Sequence, residues 1–250
     1  MMKKLVKEIL LKMGVDLTDW RSWLYEKRTA SRALKTYSQY GEDACLRGFM
    51  DVRCRDRAYR GFWVDVGAHH PTRFSNTRMF SEMGWTGINV DAMSDAMDLF
   101  RKRRPRDVNV NVGIGDASGE LTYYLFPDHA YNTFVKARVD ELAREWGREL
   151  VEGLDYQTRK VPVITLKELL DRYLPKGQKI DFLTIDAEGM DLAILKSNDW
   201  SRYRPDFVLA EVLPASSGGN ILESETARYL CDMGYRFAGQ CASTTIFLVK

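Results

Sequence analysis

The sequence predicts an α/β protein built on a doubly wound, mostly parallel sheet. Three observations carry this expectation. Residues 61–91 trace an apolar run ending in Asp65-Val66-Gly67-Ala68, a helix-like stretch, and a second apolar run ending in Asp91. That is the outline of a β-α-β unit. Strand-like and helix-like segments then alternate along most of the chain. Finally, five strand ends carry small or acidic residues, at Asp65, Asp91, Gly113–Asp116, Asp186–Asp191 and Glu211, which packing alone does not explain. In such a sheet, ligands sit outside the carboxyl ends of the strands, at the switch point.

The elements follow in order. Residues 1–36 read as a helical, basic N-terminal extension, with Trp20, Trp23, Leu24 and Tyr25 as an apolar face. Residues 39–54 read as a helix whose early acids, Glu42 and Asp43, suit the positive end of the helix dipole. Phe62–Val66 is the first strand. Ser75–Met83 is a helix that Gly84 can stop. Thr86–Val90 is the second strand, Asp95–Lys102 a helix and Val108–Val112 a third strand. Gly113–Asp116 reads as a turn, and Leu121–Phe126 as an antiparallel addition. Residues 127–160 break the rhythm and read as a lid-like insertion containing a charged helix at 137–152. Thr165 is placed to cap a helix over 166–174. Ile180–Ile185 is the most buried-looking strand, followed by a helix at 191–197 and a strand at Phe207–Glu211. A helix at 223–233 and the strands Tyr235–Ala238 and Thr245–Val249 close the chain.

Bulk properties narrow the function. The 250 residues suit one large domain, and 45% hydrophobic content is enough for a full core. A net charge of +2 gives no pull toward nucleic acid. The run Arg101-Lys102-Arg103-Arg104 with Arg106 reads as a solvated helix end rather than a phosphate-binding patch. Cys45, Cys54, Cys231 and Cys241 match no metal spacing and read as reduced thiols of a cytoplasmic protein. No apolar run is long enough for a transmembrane helix. Residues 1–13 form an amphipathic, basic stretch, suited to packing on the domain or a second subunit, or to peripheral membrane contact.

A dinucleotide site would want G-x-G-x-x-G after the first strand. This chain has Asp65-Val66-Gly67-Ala68-His69-His70 and then Pro71. The ligand expected is a nucleoside without phosphates, of which S-adenosylmethionine is the obvious example. Asp91, about 25 residues after Asp65, is placed to grip two ribose hydroxyls, and Asp116 to accept from an adenine amino group. Gly67, Ala68, His69 and Gly113 complete the turns around the cofactor. Asp186 and Glu188 face the place of a methyl acceptor. With Glu211 they form a candidate oxygen-ligand set for Mg2+ or Mn2+, against the alternative of a helix cap and a salt bridge. His129 is a candidate base.

With these motifs placed, the chain resembles the FkbM family of S-adenosylmethionine-dependent methyltransferases. The matching segments are Tyr37-Ser38-Gln39-Tyr40-Gly41-Glu42-Asp43, Phe62 to Ala68, Ser75-Asn76-Thr77, Gly87-Ile88-Asn89-Val90-Asp91 and Asp181 to Gly189. Gln39 and Asn76, within two of them, join the expected cofactor set. The resemblance implies a Rossmann-like class I methyltransferase fold over 37–250, with a seven-stranded sheet whose last strand is antiparallel. It also implies O-methylation, often of sugars or natural-product hydroxyls. His69 stands where family members commonly carry Asn, and Ala187 where Val is frequent.

The expected reaction is therefore O-methyl transfer to a saccharide or glycosylated metabolite. Catalysis would fall to Asp186, Glu188 and His129. The acceptor would be recognised by residues 127–160, whose Tyr131, Phe134 and Trp146 offer stacking faces. Asn132, Thr133, Arg138, Arg144 and Arg148 add polar groups. The helix in that segment could instead be a homodimer contact. Two other readings compete: a nicotinamide-dependent oxidoreductase, and a non-catalytic module that binds cofactor or glycan.

Overall fold

The computed structural model describes residues 34–145, 156–212 and 220–250. The chain divides into two compact units, Met1–Lys35 and Thr36–Lys250. Nearly all of the first lies outside the described residues, including the amphipathic stretch 1–13 and Trp20, Trp23, Leu24 and Tyr25. Trp146 and Arg148 also lie outside them.

Among the described residues of the second unit, ten strands form two sheets. The strands are β1 (Phe62–Val66), β2 (Thr86–Asp91), β3 (Val108–Asn111), β4 (Gly113–Gly115), β5 (Gly119–Leu125), β6 (Gln157–Thr165), β7 (Phe182–Ile185), β8 (Phe207–Glu211), β9 (Tyr235–Cys241) and β10 (Thr244–Val249). The main sheet has seven strands in the order β3-β2-β1-β7-β8-β10-β9. Its first five strands run parallel, and β10 is antiparallel to both neighbours. The expected α/β architecture, mostly parallel seven-stranded sheet and antiparallel last strand are all present.

The helices are α1 (Glu42–Phe49), α2 (Asp51–Arg55), α3 (Arg78–Glu82), α4 (Ser94–Arg103), α5 (Lys136–Glu145), α6 (Leu166–Tyr173), α7 (Asp191–Lys196) and α8 (Glu225–Asp232). Strand residues alternate between two cores. Phe62, Val64, Val66, Leu183 and Ile185 face α6, α7 and α8 through Leu169, Ile194 and Leu230. Trp63, Phe182, Phe207 and Leu209 face α1 and α3 through Leu46 and Phe80. A parallel sheet buried on both faces needs this apolar content at every position. Thr165 caps α6 as expected, its hydroxyl accepting from the Glu168 N–H at 3.1 Å.

Several elements differ from the sequence reading. The helix expected over 39–54 is two helices, broken at Met50. Gly113–Gly115 is a short strand rather than a turn, pairing parallel with β6. The antiparallel addition exists as β5, but it joins β6 in a separate three-stranded sheet, β4-β6-β5. Three of the nine residues of β6 precede Lys160, so its first part falls within the span read as an insertion.

The largest correction concerns Arg104, expected to be solvated with its basic neighbours. It is 3% exposed. Its guanidinium donates to Asp107 Oδ2 at 2.7 Å and to the Thr77 hydroxyl at 2.8 Å, and lies 4.8 Å from the Trp63 ring centroid. Thr77 in turn donates to Asp65 Oδ2 at 2.9 Å. The Trp63 indole N–H donates to Asn89 Oδ1 at 3.0 Å, and the Asn89 amide donates to Asp107 and Asn109. A hydrogen-bonded buried cation thus ties β1, β2 and β3 to the start of α3. Removing one partner of a buried ion pair leaves the other uncompensated, at about 3–5 kcal/mol. Arg104→Met should therefore destabilise the protein by about that amount in urea denaturation. A loss below about 1 kcal/mol would mean that Asp107 and Asp65 do not need the cation.

Candidate functional site

The parallel strands change direction of succession between β1 and β7, and a cleft opens beyond their carboxyl ends. It encloses about 940 Å³ of non-protein space, its solvent-open mouth included.

Three strand ends make its floor. Gly67, after β1, has φ +77°, and a Cβ there would stand 1.9 Å from the Asp186 carbonyl oxygen. The Gly67 and Ala68 N–H groups both donate to the Val90 carbonyl, at 3.0 and 3.2 Å. Asp91 ends β2 and is 8% exposed. One carboxylate oxygen accepts from the His69 N–H at 2.9 Å, the other from the Met93 N–H at 2.7 Å. Each oxygen keeps a further lone pair, and Asp91 lines the cleft. Burial raises its pKa, and the two N–H bonds oppose the rise.

Asp186 follows β7 and also lines the cleft. Dense surrounding protein, then the charges of Asp191, Glu188 and Glu211, push its pKa well above the usual carboxylate range. Water reaches its side chain through the cleft. Glu188 holds a left-handed backbone, φ 45°. Its carbonyl accepts from the Thr133 hydroxyl at 2.8 Å, and its carboxylate pairs with Arg138 at 3.3 Å. The Asp186–Gly189 loop is thereby joined to the segment that precedes and begins α5.

That segment forms the opposite wall. Asp128 caps the 3-10 turn His129–Tyr131. His129, Ala130, Asn132 and Phe134 all line the cleft. Arg73 bridges to Asp128 at 3.2 Å across the mouth. His69, with φ 51°, lies ring to ring with Phe74 at 6.5 Å and 19°. Burial, then Arg73 and His70, lower the His69 pKa and favour its neutral form.

Of the residues expected at the site, Gln39, Gly67, His69, Asp91, Gly113, His129, Asp186 and Glu188 line this cleft together. The others are placed elsewhere. Asp65 points toward α3 and Thr77, where burial lifts its pKa to about 6 against the pull of Arg104. Ala68 packs on Met97 and Phe100. The Asn76 amide donates to the Thr184 hydroxyl at 3.1 Å. Asp116 is exposed and outside the lining.

The metal set finds no support. Among the described residues, no three His, Cys, Asp or Glu side chains group to hold an ion. Glu188 is turned to Arg138, and Glu211 lies outside the cleft lining, its backbone N–H donating to Asp191 at 3.0 Å. Sequence reasoning missed Tyr123 and Met93, which line the cleft. Alternation over 121–126 marked Tyr123 as one face of a strand, but not which wall that strand would build.

The model of the methyltransferase FkbM domain matches residues 65–237, more than half of the chain. The chain belongs to the FkbM methyltransferase family. Neither the curated proteins nor the solved structures yield a match to it. In this FkbM domain the matched span contains the carboxyl ends of β1, β2 and β7, which make the cleft floor. Among the described residues no helix is long and apolar enough to cross a membrane.

The carboxyl cluster behind the floor has a consequence for stability. Asp191 is 4% exposed, and burial, then Glu211, lift its pKa from 3.8 to about 7. An acid with a raised native pKa binds protons more tightly when folded. Its contribution favours the native state below its unfolded pKa and declines as pH rises through the native one. Between pH 3.8 and about 7, the unfolding free energy of the wild type should fall relative to that of Asp191→Asn, by a few kcal/mol at most. Urea denaturation across that range checks this, and a difference constant with pH would rule it out.

Proposed function

We propose that this methyltransferase uses S-adenosylmethionine, on a Rossmann-like class I fold, to O-methylate a saccharide or glycosylated metabolite. The observation that carries the cofactor reading is Asp91. A buried carboxylate at the end of β2 is held in place by two backbone N–H bonds, keeps lone pairs to spare, and lines the cleft. That is what a ribose diol needs from a protein. Gly67 fits the same reading, since the first turn presents bare backbone to the cleft. When bound, the sulfonium supplies an electrophilic methyl group.

The chain's own groups then have separable tasks. Asp91 binds and orients the ribose. His129 and Asp186, both in the lining, are the groups assigned to take the proton of the reacting hydroxyl. A carboxylate of raised pKa is a stronger base than an ordinary one once ionised. Glu188, committed to Arg138, positions the Asp186 loop. The mixture of Phe74, His129, Asn132 and Phe134 with Gln39 supports a saccharide over a purely apolar acceptor, because rings stack on aromatic faces while hydroxyls take the polar groups.

Calorimetry should show that S-adenosylhomocysteine binds and that NAD does not. Asp91→Ala leaves ribose hydroxyls without an acceptor, costing about 1–3 kcal/mol, and should weaken binding about tenfold to a hundredfold. Unchanged affinity in a folded variant would remove Asp91 from the ribose. Release of S-adenosylhomocysteine in a screen of saccharide acceptors tests the reaction. No acceptor-dependent release from any hydroxyl-bearing sugar would overturn that part of the reading.

A further inference from the structure

Asn132 follows the turn His129–Tyr131, is 7% exposed, and lines the cleft. Its side-chain oxygen accepts from the Phe126 N–H at 2.7 Å. This bond fixes which way the amide points, because the flipped form would set a donor against a donor. The other end of the amide is then left over. Nδ2 has no hydrogen-bond partner, and it is the one buried side-chain nitrogen among the described residues in that state. The Tyr123 phenol interacts with the amide through a hydrogen bond too loose to satisfy Nδ2 in distance and angle, and at most one of the two N–H groups could use it. A buried donor without a partner is costly, and proteins seldom keep one unless something else uses it.

The surroundings indicate what that is. Tyr123 and Phe134 lie with ring centroids 4.4 Å apart, and Met93 packs against Tyr123. Gly113, also in the lining, has no room for a side chain, since a Cβ would meet the Phe134 ring at 2.7 Å. The result is an apolar slot with one orphan N–H, beside the Asp91 carboxylate that Tyr123 feels. A flat heteroaromatic ring suits it, with apolar surfaces against its faces and one edge lone pair for the amide. A purine offers such lone pairs on its unprotonated ring nitrogens.

We infer that Asn132 reads the base of the nucleoside, its Nδ2 donating to a ring nitrogen of the purine. This rests on the cofactor reading above. The test is calorimetry on the full chain with S-adenosylhomocysteine and its 1-deaza, 3-deaza and 7-deaza analogues, each of which replaces one ring nitrogen with C–H. One analogue should bind the wild type about tenfold or more weakly than the parent. Asn132→Asp keeps an oxygen for Phe126 and removes the donor. It should bind the parent more weakly and no longer distinguish it from that analogue. If S-adenosylhomocysteine itself does not bind, the cofactor reading fails and this inference with it. If it binds, and the wild type takes all three analogues equally well, or Asn132→Asp discriminates as the wild type does, Asn132 alone is removed. The wild-type series decides the matter even if the variant does not fold.

Discussion

The carbonyl oxygen of Asp186 occupies the space in which a side chain at position 67 would begin. The rest of the cleft follows from this close approach of two strand ends. Only glycine accepts both the contact and the left-handed φ of +77°. The chain leaving β1 therefore turns directly over β7. Its next N–H groups reach back to Val90, and the following one, from His69, reaches the Asp91 carboxylate. The ends of β1, β2 and β7 are stitched together by backbone, and a ligand on this floor meets main chain and one fixed carboxylate. The side chains of His129, Asn132, Phe134 and Phe74 line the cleft beside this floor.

Buried charge is distributed unevenly about that floor. On the α3 side, Arg104 compensates Asp107 and Asp65 and fills its remaining N–H capacity with Thr77 and Asn89. Removing water from these groups is offset by bonds the fold itself supplies. On the cleft side, Asp186 and Asp191 lie with Glu188 and Glu211, and only Glu188 has an ion-pair partner, Arg138. The backbone N–H bonds to Asp191 offset part of its cost, yet its pKa still rises to about 7. A fold selected for stability alone would dilute such a cluster. Carboxyls of raised pKa concentrate at acid–base sites, and Asp186 stands in the cleft itself.

The strands were legible because a doubly covered parallel sheet leaves little choice of residue. Phe62–Val66 has apolar or compensated groups on both faces, and such runs stand out against amphipathic helices. The placement of Gly67 and Asp91 in the cleft was legible because a close backbone approach demands glycine and because small and acidic residues at strand ends mark the switch point of such a sheet. The second sheet was not. Gly113-Ile114-Gly115 has the composition of a turn, and only its pairing with Val163–Thr165, some fifty residues away, makes it a strand. Arg104 looked like its neighbours because sequence does not show that Pro105 and Asp107 turn the chain so that one arginine of four enters the core. Tyr123 was hidden for a related reason, and Asn132 was legible only as a polar group of the 127–160 segment. Whether an amide is satisfied depends on which groups the tertiary fold brings to it, and local sequence carries no record of that. Asp116, whose residue type and position after the third strand fitted the cofactor set, is exposed and outside the cleft lining, which its local sequence does not show.

Backbone strain separates the part of the molecule that folds from the part that acts. Among the described residues four non-glycine positions have positive φ: His69, Phe74, Glu188 and Ala242. Ala242 sits between β9 and β10, where a tight reversal accounts for it. The other three line the cleft. Each such conformation costs about 1–3 kcal/mol and persists only where surrounding bonds over-determine it. For His69 that bond is its N–H to Asp91, and for Glu188 it is the Thr133 hydroxyl on its carbonyl. The His69 restraint comes from the neighbouring strand end and the Glu188 restraint from the opposite wall, in neither case from the local chain. The walls are therefore set against each other before any ligand arrives. This is the arrangement a methyl transfer requires, since in-line attack tolerates little error in the relative placement of the two reactants.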